Sequence, residues 1–302
     1  MTLESEQIKT DIIEIENKKF GLKRDISQII NTINFESRRF FKNFILIILI
    51  FLGIFIISLI VQELQYAQDV PLPNDPIEYI NSYLGMFGFM VILSAAGFAG
   101  SIIAEDFHRQ TGNLIFPKIS KFKLLIGRLI SRYSFNAICV SFYYILIGSI
   151  TFIKYEEIPI ELWGSMGWAF LYTFMIFTFI TFMSSIMKST AISIIVSVLF
   201  LLIVFNMISS ILLFTGVRIE PLYILTYYEG IIRYSMAMPK PRYTEINIPT
   251  GPSGDNGEMQ TTTFLQWITP SEIVAFIGML IYSILFITLA YFLYRRRQSK
   301  NV

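Results

Sequence analysis

Charged residues are scarce in this chain. Asp, Glu, Lys and Arg make up 15% of its 302 residues, whereas hydrophobic residues make up 54%. Soluble domains carry about a quarter charged residues, so this balance indicates a membrane protein. Six long apolar segments hold no ionisable residue apart from Glu272 at the start of the sixth. Since buried ionisable groups mark proton relays and ion-coupled carriers, their absence disfavours a chain that drives transport alone.

Groups for catalysis and cofactor binding are also few. The chain has one histidine, His108, and one cysteine, Cys139, which disfavours a histidine-based metal site or catalytic triad and excludes an intramolecular disulfide. No Gly-Lys-Ser/Thr phosphate loop occurs, so the chain lacks this means of binding ATP. The sequence predicts no enzyme, no resident cofactor and no metal. The basic residues flank apolar segments and favour anionic lipid over nucleic acid.

Each apolar segment is long enough for a helix across a bilayer, which needs roughly 20 residues. A membrane β-barrel would instead show short alternating runs. All eleven prolines lie outside the segments, so we expect continuous helices rather than the broken ones of many secondary transporters. The predicted fold is an all-α polytopic membrane protein with six transmembrane helices, at about 44–61, 83–104, 133–153, 168–187, 190–217 and 271–294.

The distribution of Lys and Arg predicts the orientation of these helices. Segments on the N-terminal side of the membrane hold 19 of them and segments on the other side hold 5. The positive-inside rule then places both termini in the cytoplasm, in a multi-pass protein of the plasma membrane. The predicted parts are a cytoplasmic tail with an interface helix, a six-helix transmembrane domain with an outer loop, and a basic cytoplasmic tail: 1–43, 44–294 with loop 218–270, and 295–302.

Residues 22–43 have the pattern of an amphipathic helix. Apolar residues recur at helical spacing, and charged residues occupy the other face. A basic amphipathic helix directly before a span is typical of one lying in the cytoplasmic interface; the alternative is a soluble helix packed on a partner. The residues assigned to this helix are Ile26, Ile29, Ile33, Glu36, Arg38 and Arg39.

Two spans contain residues with a candidate role. Small residues four apart in the second span allow close helix approach in lipid, and packing is favoured over substrate lining for Ala96, Gly97, Gly100 and Ser101. Asn206 is the most polar side chain in the middle of the fifth span. It is expected to hydrogen-bond a neighbouring helix, with a transport-pathway contact as the alternative.

The segment 105–132 holds six Lys or Arg residues against two acids, and its second half has the pattern of an amphipathic helix. A cytoplasmic loop with this pattern suggests a surface that another protein contacts. Together with the two residues before it, this segment contains Ile103-Ala104-Glu105, Thr111-Gly112-Asn113-Leu114, Pro117, Ile119-Ser120-Lys121 and Leu124-Leu125-Ile126-Gly127-Arg128.

This order resembles the first cytoplasmic loop of ABC-transporter permeases of the type-2 exporter family. Members typically show an acid ending the second span, a Gly/Thr pair, a Pro-Ile/Val-Ser-Arg run and a Gly-Lys opening the third span. Here Lys121 replaces the Arg, Arg128 replaces the Lys, and Lys118 separates Pro117 from Ile119. The segments 35–39 and 187–190 are similar to the entry helix and the fourth-to-fifth link of the same family.

The resemblance implies one half of an ATP-driven exporter. Two permease subunits, identical or different, would form the translocation pathway, and each would dock on a separate ATPase subunit that holds ATP and Mg. The cytoplasmic loop would act as a coupling helix inserted into the ATPase. The residues expected at this contact are Glu105, Phe107, Arg109, Thr111, Gly112, Leu114, Ile115, Phe116, Pro117, Lys118, Lys121 and Lys123.

The role of the loop lysines and the function of the whole protein stay open at this point. The lysines of the loop would meet acidic ATPase groups, or they would only hold the loop at the membrane surface. The whole protein is an export permease, or it is a membrane scaffold or sensor that acts through its outer loop. A self-sufficient secondary carrier is the least favoured reading, because the spans lack ionisable groups and proline breaks.

Overall fold

Long helices dominate the computed structural model, which describes residues 2–68, 71–108, 120–215, 219–249 and 261–298. Within those ranges the helices are α1 (Thr2–Ala67), α2 (Pro76–Leu84), α3 (Phe87–Ala99), α4 (Ala104–His108), α5 (Lys121–Tyr155), α6 (Glu161–Ile186), α7 (Thr190–Leu199), α8 (Phe205–Thr215), α9 (Gly230–Tyr234) and α10 (Glu272–Gln298). A π-helical turn, Phe200–Val204, joins α7 to α8, and a 3₁₀ turn, Leu225–Glu229, leads into α9.

The part of the chain that the structure describes has six helical segments long and apolar enough to cross a membrane. This confirms the predicted helical, six-segment character of the protein. Their bounds are Arg24–Ala67, Phe87–Phe107, Lys121–Tyr155, Glu161–Ile186, Thr190–Leu212 and Glu272–Arg297.

The second and fourth segments form the centre of the helix bundle. Most of α3 and α6 is buried, whereas the first, fifth and sixth segments are mainly exposed. The helix α5 contacts α1 on one side and α6 on the other, and α10 packs along α6. The apolar side chains on the outer helices fit a lipid environment, since a helix that is apolar on all sides is typical of a membrane span.

The helix α1 differs from the prediction of a separate interface helix. It runs without interruption from Thr2 to Ala67, so the expected boundary at residue 43 is not a helix end. Its inward face also includes polar groups: Thr32 and Glu36 are buried, whereas Ile26 is exposed. Glu36 is buried because it pairs with Arg128 and Arg132 of α5.

The second and fifth spans are less regular than predicted. The helix breaks between α3 and α4 at residues 100–103, where Ser184 Oγ accepts hydrogen bonds from the backbone N–H groups of Ile103 and Ala104. These contacts satisfy donors that the break leaves open. The fifth span contains the π-helical turn, a feature often found at functional positions. The absence of proline from these two spans therefore did not predict whether their α-helices are continuous.

A small sheet departs from the all-α expectation. The strands β1 (Tyr243–Pro249) and β2 (Thr261–Trp267) pair antiparallel, with Tyr243 opposite Trp267 and their ring centroids 5.6 Å apart. The link between the strands lies outside the described residues. Since α10 begins just after β2, the hairpin marks one end of this helix, and we call that part of the bundle the hairpin end.

Candidate functional site

Six ionisable side chains meet where α1, α4 and α5 come together, next to the last turns of α10. We call this group the charged cluster: Glu36, Arg39, Glu105, Asp106, Arg128 and Arg132. Three acids and three bases balance, and most of them are buried, with Arg132 at 0% and Arg128 at 3% exposed. The cluster lies at the opposite end of α10 from the hairpin.

Arg128 joins α5 to both α1 and α4. Its two terminal nitrogens donate to the two carboxylate oxygens of Asp106, at 2.7 and 2.9 Å. Its Nε donates to Glu36 at 3.2 Å, and Nη1 also donates to the backbone carbonyl of Ile102 at 2.8 Å. A bidentate guanidinium–carboxylate pair fixes direction as well as distance, so α4 is held in a defined orientation against α5.

Arg132 lies one helical turn further along α5 on the same face. Its Nε and Nη2 donate to one oxygen of Glu36 at 2.9 and 2.7 Å, and Nη1 donates to Ser101 Oγ at 2.7 Å. The ring of Phe40 lies under its guanidinium, 3.7 Å from the ring centroid. Positions four apart share one side of a helix, which is why both arginines reach Glu36.

The last turns of α10 complete the cluster. The hydroxyl of Tyr294 donates to Asp106 at 2.6 Å. Arg297 lies over the ring of Phe107 at 4.3 Å and donates to the backbone carbonyl of Met187 at 2.8 Å. Asp106 and Phe107, shortly before the segment 109–119, therefore contact α5 and α10, and through Arg297 they are linked to the end of α6.

A glycine allows α1 and α5 to approach closely enough for these contacts. A Cβ placed at Gly127 would come within 2.8 Å of the Thr32 side chain, closer than real Cβ contacts allow. Beside it, Ser37 Oγ and Ser131 Oγ are 2.9 Å apart. Small side chains at this crossing bring the helices together and place Glu36 beside its arginines.

Most of the predicted ATPase-contact residues lie outside the described residues, namely Arg109, Thr111, Gly112, Leu114, Ile115, Phe116, Pro117 and Lys118. The remaining four have partners inside the chain. Glu105 is buried and pairs with Arg39. Lys123 pairs with Asp25, and Lys121 Nζ lies 3.4 Å from the carbonyl oxygens of Tyr294 and Arg295.

These contacts change the interpretation of the basic loop. Of its six basic residues, Arg128 and Arg132 are interior groups that neutralise buried acids. Phe107, expected as an apolar anchor on the ATPase, packs at 6.1 Å against the ring of Tyr294. A contact between the ATPase and Glu105, Phe107, Lys121 or Lys123 stays a prediction.

The predicted interface-helix residues do not share one environment. Glu36 is buried in the charged cluster, Ile29 and Ile33 are partly buried, and Ile26 and Arg38 are exposed. Glu36 therefore has an interior role that a surface helix would not give it. The sequence did not predict this role, because the partners of Glu36, Arg128 and Arg132, lie 92 and 96 residues later in the chain.

The small residues of the second span lie against neighbouring helices. A Cβ at Gly97 would meet the Ile47 side chain at 3.1 Å, and one at Gly100 would overlap Ile194. Ala96 is buried, and Ser101 additionally accepts the hydrogen bond from Arg132.

Asn206 donates to the carbonyl of Leu202 in its own helix, at 2.6 Å, and not to a neighbouring helix as expected. Its side chain is exposed and lines a pocket at the hairpin end.

Comparison with protein-family models and with curated protein sequences gives no match for this chain. Among the described residues, no three His, Cys, Asp or Glu side chains are grouped closely enough to hold a metal ion.

One signal in the sequence pointed to the charged cluster. Arg128 and Arg132 are four residues apart in a run that is otherwise largely apolar, directly after Gly127. Two arginines on one face of such a helix need acids to face them. Reading them as loop charges missed their role inside the bundle.

Proposed function

We propose that this protein is the transmembrane permease subunit of an ATP-driven ABC exporter. It would act as a dimer with a second permease subunit, and each subunit would dock on a separate ATPase through the segment 109–119. Both termini and this segment would face the cytoplasm, and ATP and Mg would be bound by the partner and not by this chain. The resemblance of the loop and the six apolar helices support this proposal.

The observation that carries it is how the two ends of the segment 109–119 are held. Asp106 precedes the segment and Arg128 follows it, and the two form a buried bidentate pair. Glu36 and Tyr294 contact the same pair. A force applied to the segment would therefore act on α1, α5 and α10 together, as coupling to an external ATPase requires.

In this mechanism the ATPase shifts an equilibrium between two arrangements of the permease pair. Binding can shift such an equilibrium only through contacts that differ between the two states. The charged cluster supplies rigidity, because removing the partners of a buried member such as Arg132 leaves its charge uncompensated, at a cost of about 3–5 kcal/mol. The helices joined by the cluster would move as a unit.

The first experiment is purification of the full chain from its native membrane in mild detergent. We expect an ATPase chain with a Gly-x-x-x-x-Gly-Lys-Ser/Thr phosphate loop to copurify. The double variant Arg109→Glu/Lys118→Glu should lose this association, or keep it with ATP hydrolysis no longer stimulated. Lys240→Glu, a charge reversal in the loop at the hairpin end, is the matched control. Wild-type association and stimulation in the double variant would contradict docking through 109–119.

A sensor or scaffold that acts through the hairpin end is the second candidate. It is favoured by the pocket beside Asn206 and by the ordered hairpin that borders it. The same purification separates the two proposals, since a sensor or scaffold has no need of a copurifying ATPase.

A further inference from the structure

A pocket of about 360 Å³ opens at the hairpin end between α8, the 3₁₀ turn and β2. This volume lies within the range of small-molecule sites. Polar groups line much of it, although it borders an exposed face of the fifth span. The polar or aromatic lining residues used below are Asn206, Ser209, Ser210, Tyr227, Glu229 and Trp267.

Glu229 is an acid without a countercharge in contact. It ends the 3₁₀ turn, and the described residues form no ion pair with it; Arg233 acts on its charge without forming a salt bridge. Its carboxylate lies against Gly88, where a Cβ would overlap it. Burial raises the pKa of Glu229 to about 7, opposed by a backbone hydrogen bond from Gly88. This half-buried carboxyl group has the Gly88 N–H as a partner, and binding a proton or a cation would offset the remaining cost of its burial.

The polar groups on α8 have most of their donors already in use. The hydroxyls of Ser209 and Ser210 donate to backbone carbonyls four residues earlier, at 3.0 and 2.9 Å, and the amide nitrogen of Asn206 donates in the same way. Hydroxyl and amide oxygens keep lone pairs after their hydrogens are used. The α8 wall therefore offers mainly acceptors to an occupant.

The opposite wall adds aromatic groups. The hydroxyl of Tyr227 donates to Glu220 at 3.0 Å, so its hydrogen is also in use. Trp267 lines the pocket from β2; Arg242 lies 5.7 Å from its ring centroid, and its indole N–H has no hydrogen-bond partner among the described residues. Aromatic faces attract cations, and an ammonium group carries three donors and no acceptor.

We propose that this pocket binds a protonated primary amine, with Glu229 as its ion-pair partner and the oxygens on α8 as hydrogen-bond acceptors. A free amine and the ethanolamine headgroup of a lipid share this chemistry, and the exposed face of α8 makes both accessible. The proposal goes beyond the permease function and does not depend on it, because no ATPase is needed for binding.

The test uses the full chain with Trp163→Phe and Trp168→Phe, which leaves Trp267 as the single tryptophan reporter. The protein is reconstituted in phosphatidylcholine nanodiscs at about pH 8, where Glu229 is ionised and an alkylamine is protonated. Free ethanolamine should change the fluorescence of Trp267 saturably. In a second arm, nanodiscs containing phosphatidylethanolamine are released in detergent, and native mass spectrometry measures the lipid retained.

Glu229→Gln keeps the size of the side chain and should weaken amine binding at least about ten-fold, the scale of a lost charge-assisted hydrogen bond. Glu245→Gln on the exposed part of β1 is the matched control and should bind as the unchanged protein does. The double variant Asn206→Ala/Ser209→Ala removes acceptors from exposed positions and should weaken binding several-fold, which keeps the test valid if Glu229→Gln folds poorly.

Saturable binding in the first arm assigns a free amine, and lipid retention that depends on Glu229 in the second arm assigns the headgroup. Equal affinity in the wild type, Glu229→Gln and the double variant would overturn the proposal. So would the absence of both free-amine binding and lipid retention, or saturable binding of acetate in place of ethanolamine.

Discussion

Arg128 and Asp106 form a buried bidentate ion pair, with nitrogen–oxygen distances of 2.7 and 2.9 Å. The pair joins the start of α5 to α4 across the segment that the sequence assigns to ATPase contact. Tyr294 donates to the same carboxylate, so α10 is in contact with the same ion pair. A change at this one pair is expected to affect both ends of the segment and the last helix together.

Glu36→Gln should destabilise the protein more than other Glu→Gln changes do. It removes the charge that faces Arg128 and Arg132 without changing the size of the side chain, and loss of one partner in a buried pair costs about 3–5 kcal/mol. Thermal unfolding of the full chain in detergent measures the effect. Glu63→Gln is the control, since Glu63 pairs with Lys154 at a partly exposed position where pairs contribute at most about 1 kcal/mol. Equal melting temperatures in the two variants would contradict the cluster's role.

Gly127→Ala should separate α1 from α5, because the new Cβ would meet the Thr32 side chain at 2.8 Å. Overpacking typically costs about 1–3 kcal/mol. Gly164→Ala, in α6, is the matched control: nothing lies within 4 Å of its added Cβ, and alanine favours a helix by about 1 kcal/mol over glycine. We expect a lower melting temperature for the first variant and an unchanged or higher one for the second. A melting temperature for Gly127→Ala at or above that of Gly164→Ala would show that the crossing tolerates the methyl group.

The six-segment helical character was predictable because it depends on local composition. A run of about 20 apolar residues needs a helix to satisfy its backbone in lipid, and this requirement does not depend on what the helix packs against. The charged cluster was not predictable in the same way. Glu36 reaches Arg128 and Arg132 only after α1 and α5 cross at Gly127, and a charge count along the chain treats buried and exposed arginines alike.

The hairpin shows a different kind of omission. Residues 243–249 and 261–267 are rich in Thr, Ile and aromatic residues, and they flank the turn-rich run 249–257. Two such runs around a turn are a hairpin signal. The prediction of an outer loop at 218–270 did not include these two strands. The pocket depends on this hairpin, since Leu265, Gln266 and Trp267 form one of its walls.

The predicted orientation places residue 253 outside the cell and residues 5 and 299 in the cytoplasm. Cys139 is the single cysteine and is buried, so Cys139→Ala provides a background for labelling. A membrane-impermeant maleimide applied to intact cells should label Ser253→Cys and leave Ser5→Cys and Ser299→Cys unlabelled until the membrane is opened. The reverse pattern would invert the orientation and place 109–119 outside, which would remove the basis for ATPase coupling.

The stability of the hairpin end should depend on pH through Glu229, whose pKa burial raises from 4.5 to about 7. A carboxyl with a raised folded-state pKa binds its proton more tightly in the folded protein, so its stabilising effect is fully present below the unfolded pKa and is lost as pH rises through the folded one. The window is therefore about pH 4.5 to 7, and the loss is roughly 2–4 kcal/mol. The groups facing Glu229 are Arg233, the buried Tyr172 and the Gly88 backbone. Melting temperatures from about pH 5 to pH 8 should thus fall more steeply in the wild type than in Glu229→Gln, whose amide does not ionise. Parallel profiles for the two proteins would show that Glu229 keeps an ordinary pKa, and the case for an uncompensated acid in the pocket would then fail.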